Sequence, residues 1–401
     1  HFAAGHSTVR LQSHADTKEL TNLLLAKTDF APLSSTSLVQ GTALLNLTLD
    51  RHADATTISA NLDLKKTGYR SESGISKPIG VAASADADVI LQEKTQAKIQ
   101  RLRFFLEPLL LTASGTIELT SPPQYSISME SNLVDLDKFH DQIPHVTIRG
   151  LHPESGLFKA KLKLTGVGTG KNKMEVDGQV SLLHGRISAP KKAKTNPPII
   201  EDVNAIIQFS HKDDGRVKIK DFSATFNGSP VRVSGVIKRL HILPRINISI
   251  DASRFDIESM ISQDSSSPFR ELITSLIHTT TLQSDIHVDE VQYHDVVWTD
   301  MHLAATGMGG FITLEIIKAQ SGDGNLQAHT TIHMPKNAPV QINGNARFKA
   351  VPAQDIVTLL GGNERLMFGH ANLEGELTGN GGHEDGLSAT LDGKIHLVLS
   401  N

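Results

Sequence analysis

The chain contains no cysteine. Disulfides, cysteine-ligated zinc and thiol chemistry are excluded together, although the compartment stays open. Aromatic residues are almost as scarce, with one Trp, three Tyr and fourteen Phe among 401 residues. Burial must therefore come from Ile, Leu, Val and Ala, and a carbohydrate-binding adhesion module, which stacks sugars on exposed rings, is disfavoured. No charge sign dominates: the net charge is -4 and the pI about 6.6, so there is no global basic field for nucleic acid. Long hydrophobic runs are missing too. The stretch Leu106 to Ala113 is broken by Glu107 and Pro108 and falls far short of the roughly 20 apolar residues that cross a bilayer. The opening His1-Phe2-Ala3-Ala4 has no initiator Met, basic n-region or apolar h-region. The chain is thus expected to be a piece of a longer protein whose membrane anchor lies elsewhere.

What is present is period-two alternation, the signature of strands with one apolar face. Val217 and Ile219, then after a shift Phe222, Ala224 and Phe226, lead into Asn227-Gly228-Ser229-Pro230, and Val231, Val233 and Gly235 return. This predicts a hairpin. Similar alternation runs through Leu326 to Met334, Val340 to Phe348, Ala371 to Leu377 and Leu387 to Leu399. The alternate positions carry Gln, Asn, Asp, Thr, Lys and His, as a sheet wet on one side requires. A closed sandwich core would use the same pattern, and a register slip of one residue would exchange the two faces.

One phrase recurs four times: an alternating strand, an acidic or proline turn, then a short apolar helix. It reads Val9 to Ser13 before Glu19 to Leu24, and Tyr125 to Met129 before Asp135 to Phe139. It returns as Ile246 to Ile250 before Asp256 to Ile261, and as Val340 to Gly344 before Pro352 to Val357. Copies at roughly 100-residue spacing imply a repeated supersecondary unit in an elongated β architecture. Ser265 to Pro268 followed by Phe269, Leu272, Ile273, Leu276 and Ile277 predicts a capped amphipathic helix, and Gly361-Gly362 a helix stop after Leu360. Lys191 to Pro198 reads as an exposed loop.

Catalytic patterns are not found. The nineteen His are scattered: His140, His145 and His152 in a turn region, His294 beside Asp295, and His383 before Glu384 and Asp385. No His-Glu-x-x-His or Gly-x-Ser-x-Gly occurs. In Gly166 to Asn172 the phosphate-loop spacing fails, because Thr165 stands at its first glycine and Asn172 at its hydroxyl residue. The reading is not an enzyme, with no metal and no cofactor.

The stretch Asp285 to Asn401 resembles the C-terminal region of the AsmA-like family of Gram-negative envelope proteins, the group that includes TamB and YhdP. The likeness runs through Ile286 to Tyr293, Leu314 to Ala319 with Gly322 to Leu326, Val340 to Leu360, and Gly386 to Ile395. Gly150 to Pro190 and Ile200 to Ile261 are similar to the repeated strands of larger members. Gly322-Asp323-Gly324 departs from the aromatic-containing tract usual at that turn, and the family strand is expected to continue past Asn401. The resemblance implies a mainly β, elongated, twisted, taco-like antiparallel sheet forming an apolar groove, with a few short helices. It divides the chain into β-repeat regions 1–125 and 126–262, an amphipathic helical linker 263–284 and an AsmA-like region 285–401.

It also implies a function: a periplasmic, bridge-like segment, tethered to the inner membrane in the full-length protein. The segment would shield phospholipid acyl chains in transit between inner and outer membranes and support outer-membrane lipid homeostasis. Candidate groove-lining residues, taken from the alternation, are Val217, Ile219, Val231, Val233, Ile246, Ile248, Ile250, Leu326, Ile332, Val340, Ile342, Leu373, Leu377, Leu391, Ile395 and Leu397. Phospholipids are the expected partners, with outer-membrane proteins as further ones. The alternative is a scaffold that assists outer-membrane protein assembly by pairing a sheet edge with a client strand.

Overall fold

The structure is a computed structural model that describes residues 7–16, 38–52, 54–70, 76–92, 95–142, 152–168, 174–188, 199–211, 214–226, 228–240, 242–257, 278–293, 295–335, 340–359, 368–381 and 392–400. Among these residues the fold is mainly β, an open, twisted sheet with two short helices. The chain forms two compact units, His1–Pro190 with Asp202–His211, and Lys191–Glu201 with Lys212–Asn401. One strand, Gln124–Ser131, spans the expected boundary at 125, and residue 262 lies outside the described residues.

The first unit holds β1 (Ser7–Asp16), β2 (Leu38–His52), β3 (Ala55–Asp63), β4 (Thr67–Arg70), β5 (Ser76–Lys77), β6 (Ala83–Gln92), β7 (Gln96–Leu106), β8 (Leu109–Glu118), β9 (Gln124–Ser131), β10 (Val134–Asp135), α1 (Leu136–Gln142), β11 (His152–Val167), β12 (Met174–Ser188) and most of β13 (Ile199–Ser210). Its main sheet is an antiparallel meander through β1, β2, β3, β6, β7, β8, β9, β11 and β12. β4 and β5 make a small flap on the start of β2.

The second unit holds β14 (Arg216–Phe226), β15 (Ser229–Lys238), β16 (Arg245–Asp256), β17 (Thr281–Tyr293), β18 (Val296–Met308), β19 (Phe311–Ser321), β20 (Gly324–His333), β21 (Val340–Pro352), α2 (Ala353–Leu359), β22 (His370–Gly381) and β23 (Asp392–Ser400). Each strand pairs with the next. The predicted hairpin is present: Phe226 faces Ser229 across a tight turn, with Gly228 at φ 80.

One junction departs from the antiparallel expectation, because β16 and β17 run parallel, with Ile246 opposite Leu282 and Ile250 opposite Ile286. A parallel neighbour requires a crossover of a dozen or more residues, which the chain between Asp256 and Thr281 supplies. Residues 263–277 of the expected linker lie outside the described residues, and its end, Thr281 to Ser284, is strand. Alternation in Leu282, Ser284 and Ile286 overrides the helical reading there.

Two of the four predicted short helices are seen, α1 after Asp135 and α2 after Pro352. Glu19 to Leu24, Glu258 to Ile261 and Gly361-Gly362 lie outside the described residues, as do Leu387 to Leu391 of the predicted last strand.

Bulges keep the apolar residues on one side. Alternation changes parity between Ile219 and Ala224, Ile316 and Ala319, and Phe348 and Val351, and at each place the ladder register shifts. A two-against-one step reverses the face of every later residue, so each change of parity in sequence is cancelled by a bulge in space. Ala350 sits at φ 52 in one of these steps, and its N–H donates to Asn372 Oδ1 at 3.0 Å. His184, at φ 50, donates likewise to Asn204 Oδ1 at 3.0 Å.

The second unit has a small closed core where α2 lies over the sheet. Val351, Ala319 and Ala371 are fully buried with Val296, Trp298, Leu373 and Ile356, and Trp298 meets Phe348 at a centroid distance of 5.8 Å. Ile356 is the large side chain by which α2 is anchored, with Ala353 buried beside it. Ile356→Ala is therefore expected to lower stability by about 2–4 kcal/mol in urea denaturation, while Gln354→Ala, on the exposed side of α2, stays within about 0.5 kcal/mol.

Candidate functional site

Following the pairing from strand to strand turns the alternation into rows. One row in the second unit reads Val217, Ile237, Ile246, Leu282, Gly307, Ile312, Ile332 and Ile342. Its neighbour reads Ile219, Gly235, Ile248, Ser284, Ala305, Leu314, Thr330, Gly344 and Leu377. A third runs Val233, Ile250, Ile286, Leu303, Ile316, Ala328, Ala346, Gly375 and Ile395. No member of these rows is charged. Gly235 is required as glycine, since at φ 152 a Cβ would stand 2.3 Å from the Asn247 carbonyl oxygen.

The candidate residues taken from sequence fall on this one face. Val217, Ile219, Val233, Ile246, Ile248, Ile250, Ile332, Ile342, Leu377 and Ile395 are in the rows above. Val231 pairs with Ala252 beside them, and Leu326 aligns with Phe348, Leu373 and Leu397. Val340 lies two residues from Ile342 on the same side of β21. Leu391 lies outside the described residues.

Their burial differs along the sheet. Leu326 and Leu373 belong to the core under α2. Val217 through Ile250, with Ile332, Val340 and Ile342, are half-buried, and Leu377, Ile395 and Leu397 are exposed. Beside α2 a cleft of about 270 Å³ is lined by Ile342, Phe348, Ile356, Leu359, Leu377 and Ile395. Ser284 and Thr330 are the polar residues in these rows, and the Ser284 hydroxyl is buried without a hydrogen-bond partner.

The first unit carries an equivalent face that the candidate set did not include. Leu47, Ala60, Ala87, Leu102, Ala113, Met129, Leu162 and Gly178 form one row. Leu49, Ile58, Val89, Ile99, Gly115, Ile127, Leu164 and Val176 form the next. The larger side chains here are only partly covered, and Leu102 and Phe104 are 37% and 36% exposed. The signal in sequence was available in the Leu45-Asn46-Leu47-Thr48-Leu49 alternation of β2, where Leu45, Leu47 and Leu49 share a face.

The opposite faces are polar ladders. Asn46 donates to Asn61, and Asn61 to Asp86, at 3.4 and 2.6 Å. Arg101 pairs with Asp88 at 2.6 Å, and Lys159 and Lys161 both reach Glu130, at 2.7 and 3.3 Å. Hydrogen bonds from Lys159 and then Lys161 hold the Glu130 carboxyl below its usual range. In the second unit an open polar cleft of about 720 Å³ is bordered by Glu315, His329, Arg347, Glu374, Lys394 and His396, with Arg347 and Glu374 paired at 2.7 Å. Polar side chains are thus matched to one another on one side, and apolar ones are gathered on the other.

Because the chain has no cysteine, single cysteines can report on each face. An environment-sensitive fluorophore attached at Ile248→Cys is expected to emit at shorter wavelength than the same fluorophore at Asn247→Cys. Equal emission from both would overturn the assignment of faces. No family model, curated protein or solved structure matches the chain.

Proposed function

We propose that the chain is a lipid-shielding segment, with its apolar face accommodating phospholipid acyl chains while headgroups remain in water. The observation that supports this most directly is the set of uncharged rows crossing successive strands with many large side chains still partly exposed. In the second unit, ten strands at about 4.8 Å per step carry such rows over about 43 Å along the sheet, more than the length of one acyl tail. Each methylene fully removed from water is worth about 0.8 kcal/mol, so about 11 kcal/mol is the upper bound for a tail of about fourteen methylenes, and an open face that covers one side of the tail supplies part of it. Away from α2, where neighbouring positions are chemically alike, displacement along the rows changes this energy little. Movement along the face can then be diffusive.

The AsmA-like resemblance supports a periplasmic setting between inner and outer membranes, with attachment to the inner membrane through another part of the full-length protein. Among the described residues no helix is long and apolar enough to cross a membrane. On this reading the chain is not an enzyme. Its role is to replace the bilayer interior for lipid tails, supporting outer-membrane lipid homeostasis.

The test is native mass spectrometry of the purified chain with extraction of bound lipid. Wild type is expected to carry phospholipid, and Ile248→Asp to reduce occupancy at least tenfold, while Asn247→Asp retains it. A folded wild type that neither co-purifies with phospholipid nor takes it up from vesicles would overturn the proposal.

A further inference from the structure

On the polar side of the second unit, two histidines on adjacent strands stand directly opposite each other. His287 of β17 pairs with His302 of β18, and their rings lie 4.4 Å apart. Between them the strand bulges at Asp300, which has φ 51, and the ladder skips from Thr299 to His302 in its pairing with β19. The bulge brings the Asp300 carboxylate to both rings: Oδ1 is 3.4 Å from His287 Nε2 and 3.2 Å from His302 Nε2.

We propose that His287, His302 and Asp300 form a site for one divalent transition-metal ion of the zinc type. The donor atoms of all three lie within 4.8 Å of one another. A tetrahedral ion with ligand bonds of about 2.0–2.1 Å needs donors separated by about 3.3 Å, which is the separation between Asp300 Oδ1 and each imidazole nitrogen. Imidazole with carboxylate is a donor set that suits zinc, copper and nickel, whereas calcium and magnesium prefer oxygen alone.

The surroundings fit the same chemistry. Asp251 of β16 lies 3.8 Å from His287 Nδ1, beyond hydrogen-bond length, and its charge favours a proton on Nδ1 rather than on Nε2. Asp289 Oδ1, 4.0 Å from His287 Nε2, adds negative charge beside the three donors. Lys318 of β19 takes the other Asp300 oxygen, Oδ2, by a hydrogen bond and leaves Oδ1 to the histidines. That bond is the main cause holding the Asp300 carboxyl below its usual range. Asp251, Asp289 and Asp300 against Lys318, and Arg232 opposite Asp251 across the ladder, leave the cluster one negative charge in excess. The side chains of His287, Asp300 and His302 are 34%, 38% and 44% exposed, so an ion can enter without unfolding the sheet.

The proposal does not depend on lipid binding. Zinc titration of the full chain by calorimetry is expected to give one tight site that weakens at least tenfold in His302→Ala and in Asp300→Asn, with unchanged far-UV circular dichroism. His329→Ala, outside the cluster, should leave the affinity unchanged and controls for adventitious binding by other surface histidines. Cobalt substituted for zinc should produce the visible absorption of a tetrahedral site, a signature that a merely structural histidine pair does not give. Wild-type affinity in the His287→Ala/His302→Ala double variant, or cobalt binding without that absorption, would overturn the proposal.

Discussion

The structure depends on register. Side chains of a strand alternate between faces, so a slip of one residue would carry an entire apolar set into water. In both units the pairing aligns apolar residue with apolar residue over successive strands, and the opposite face collects Asn, Asp, Arg, Lys and Glu in mutual contact. The bulges are part of this constraint. At Ile316/Ala319 and Phe348/Val351 they absorb changes of parity that would otherwise turn the apolar face inside out.

The faces are not finished in the same way along their length. Around Trp298, Val351 and Ile356 the helix α2 closes the apolar side into an ordinary core, which stabilises the second unit locally. Away from it the larger apolar side chains are half-buried, and toward β23 they become exposed. A closed sandwich would bury both inner faces throughout. Partial cover is the property on which the lipid-shielding proposal rests, because a tail gains most where apolar surface is otherwise in contact with water.

Much of the strand pattern was legible without coordinates, since alternation is local. Val231-Val233-Gly235 and Ile246-Ile248-Ile250 could be assigned to one face from spacing alone, and Gly228 marked the turn between β14 and β15. The parallel junction of β16 and β17 was not legible, because strand spacing carries no information on direction. Nor was the apolar face of the first unit fully apparent: Ala60, Ala87, Ala113, Gly115 and Gly178 belong to it, and their contribution emerges only when they stand in rows with Leu, Ile or Met.

The sequence by itself determined a β protein with one apolar and one polar face, free of disulfides and thiol chemistry, because composition and period two act residue by residue. Only the tertiary structure decided which strands are neighbours, where parity is corrected, and how much of the apolar face α2 covers. It also decided that His287, Asp300 and His302 meet, since their donor atoms converge through cross-strand pairing and a bulge, neither of which is encoded in their spacing along the chain.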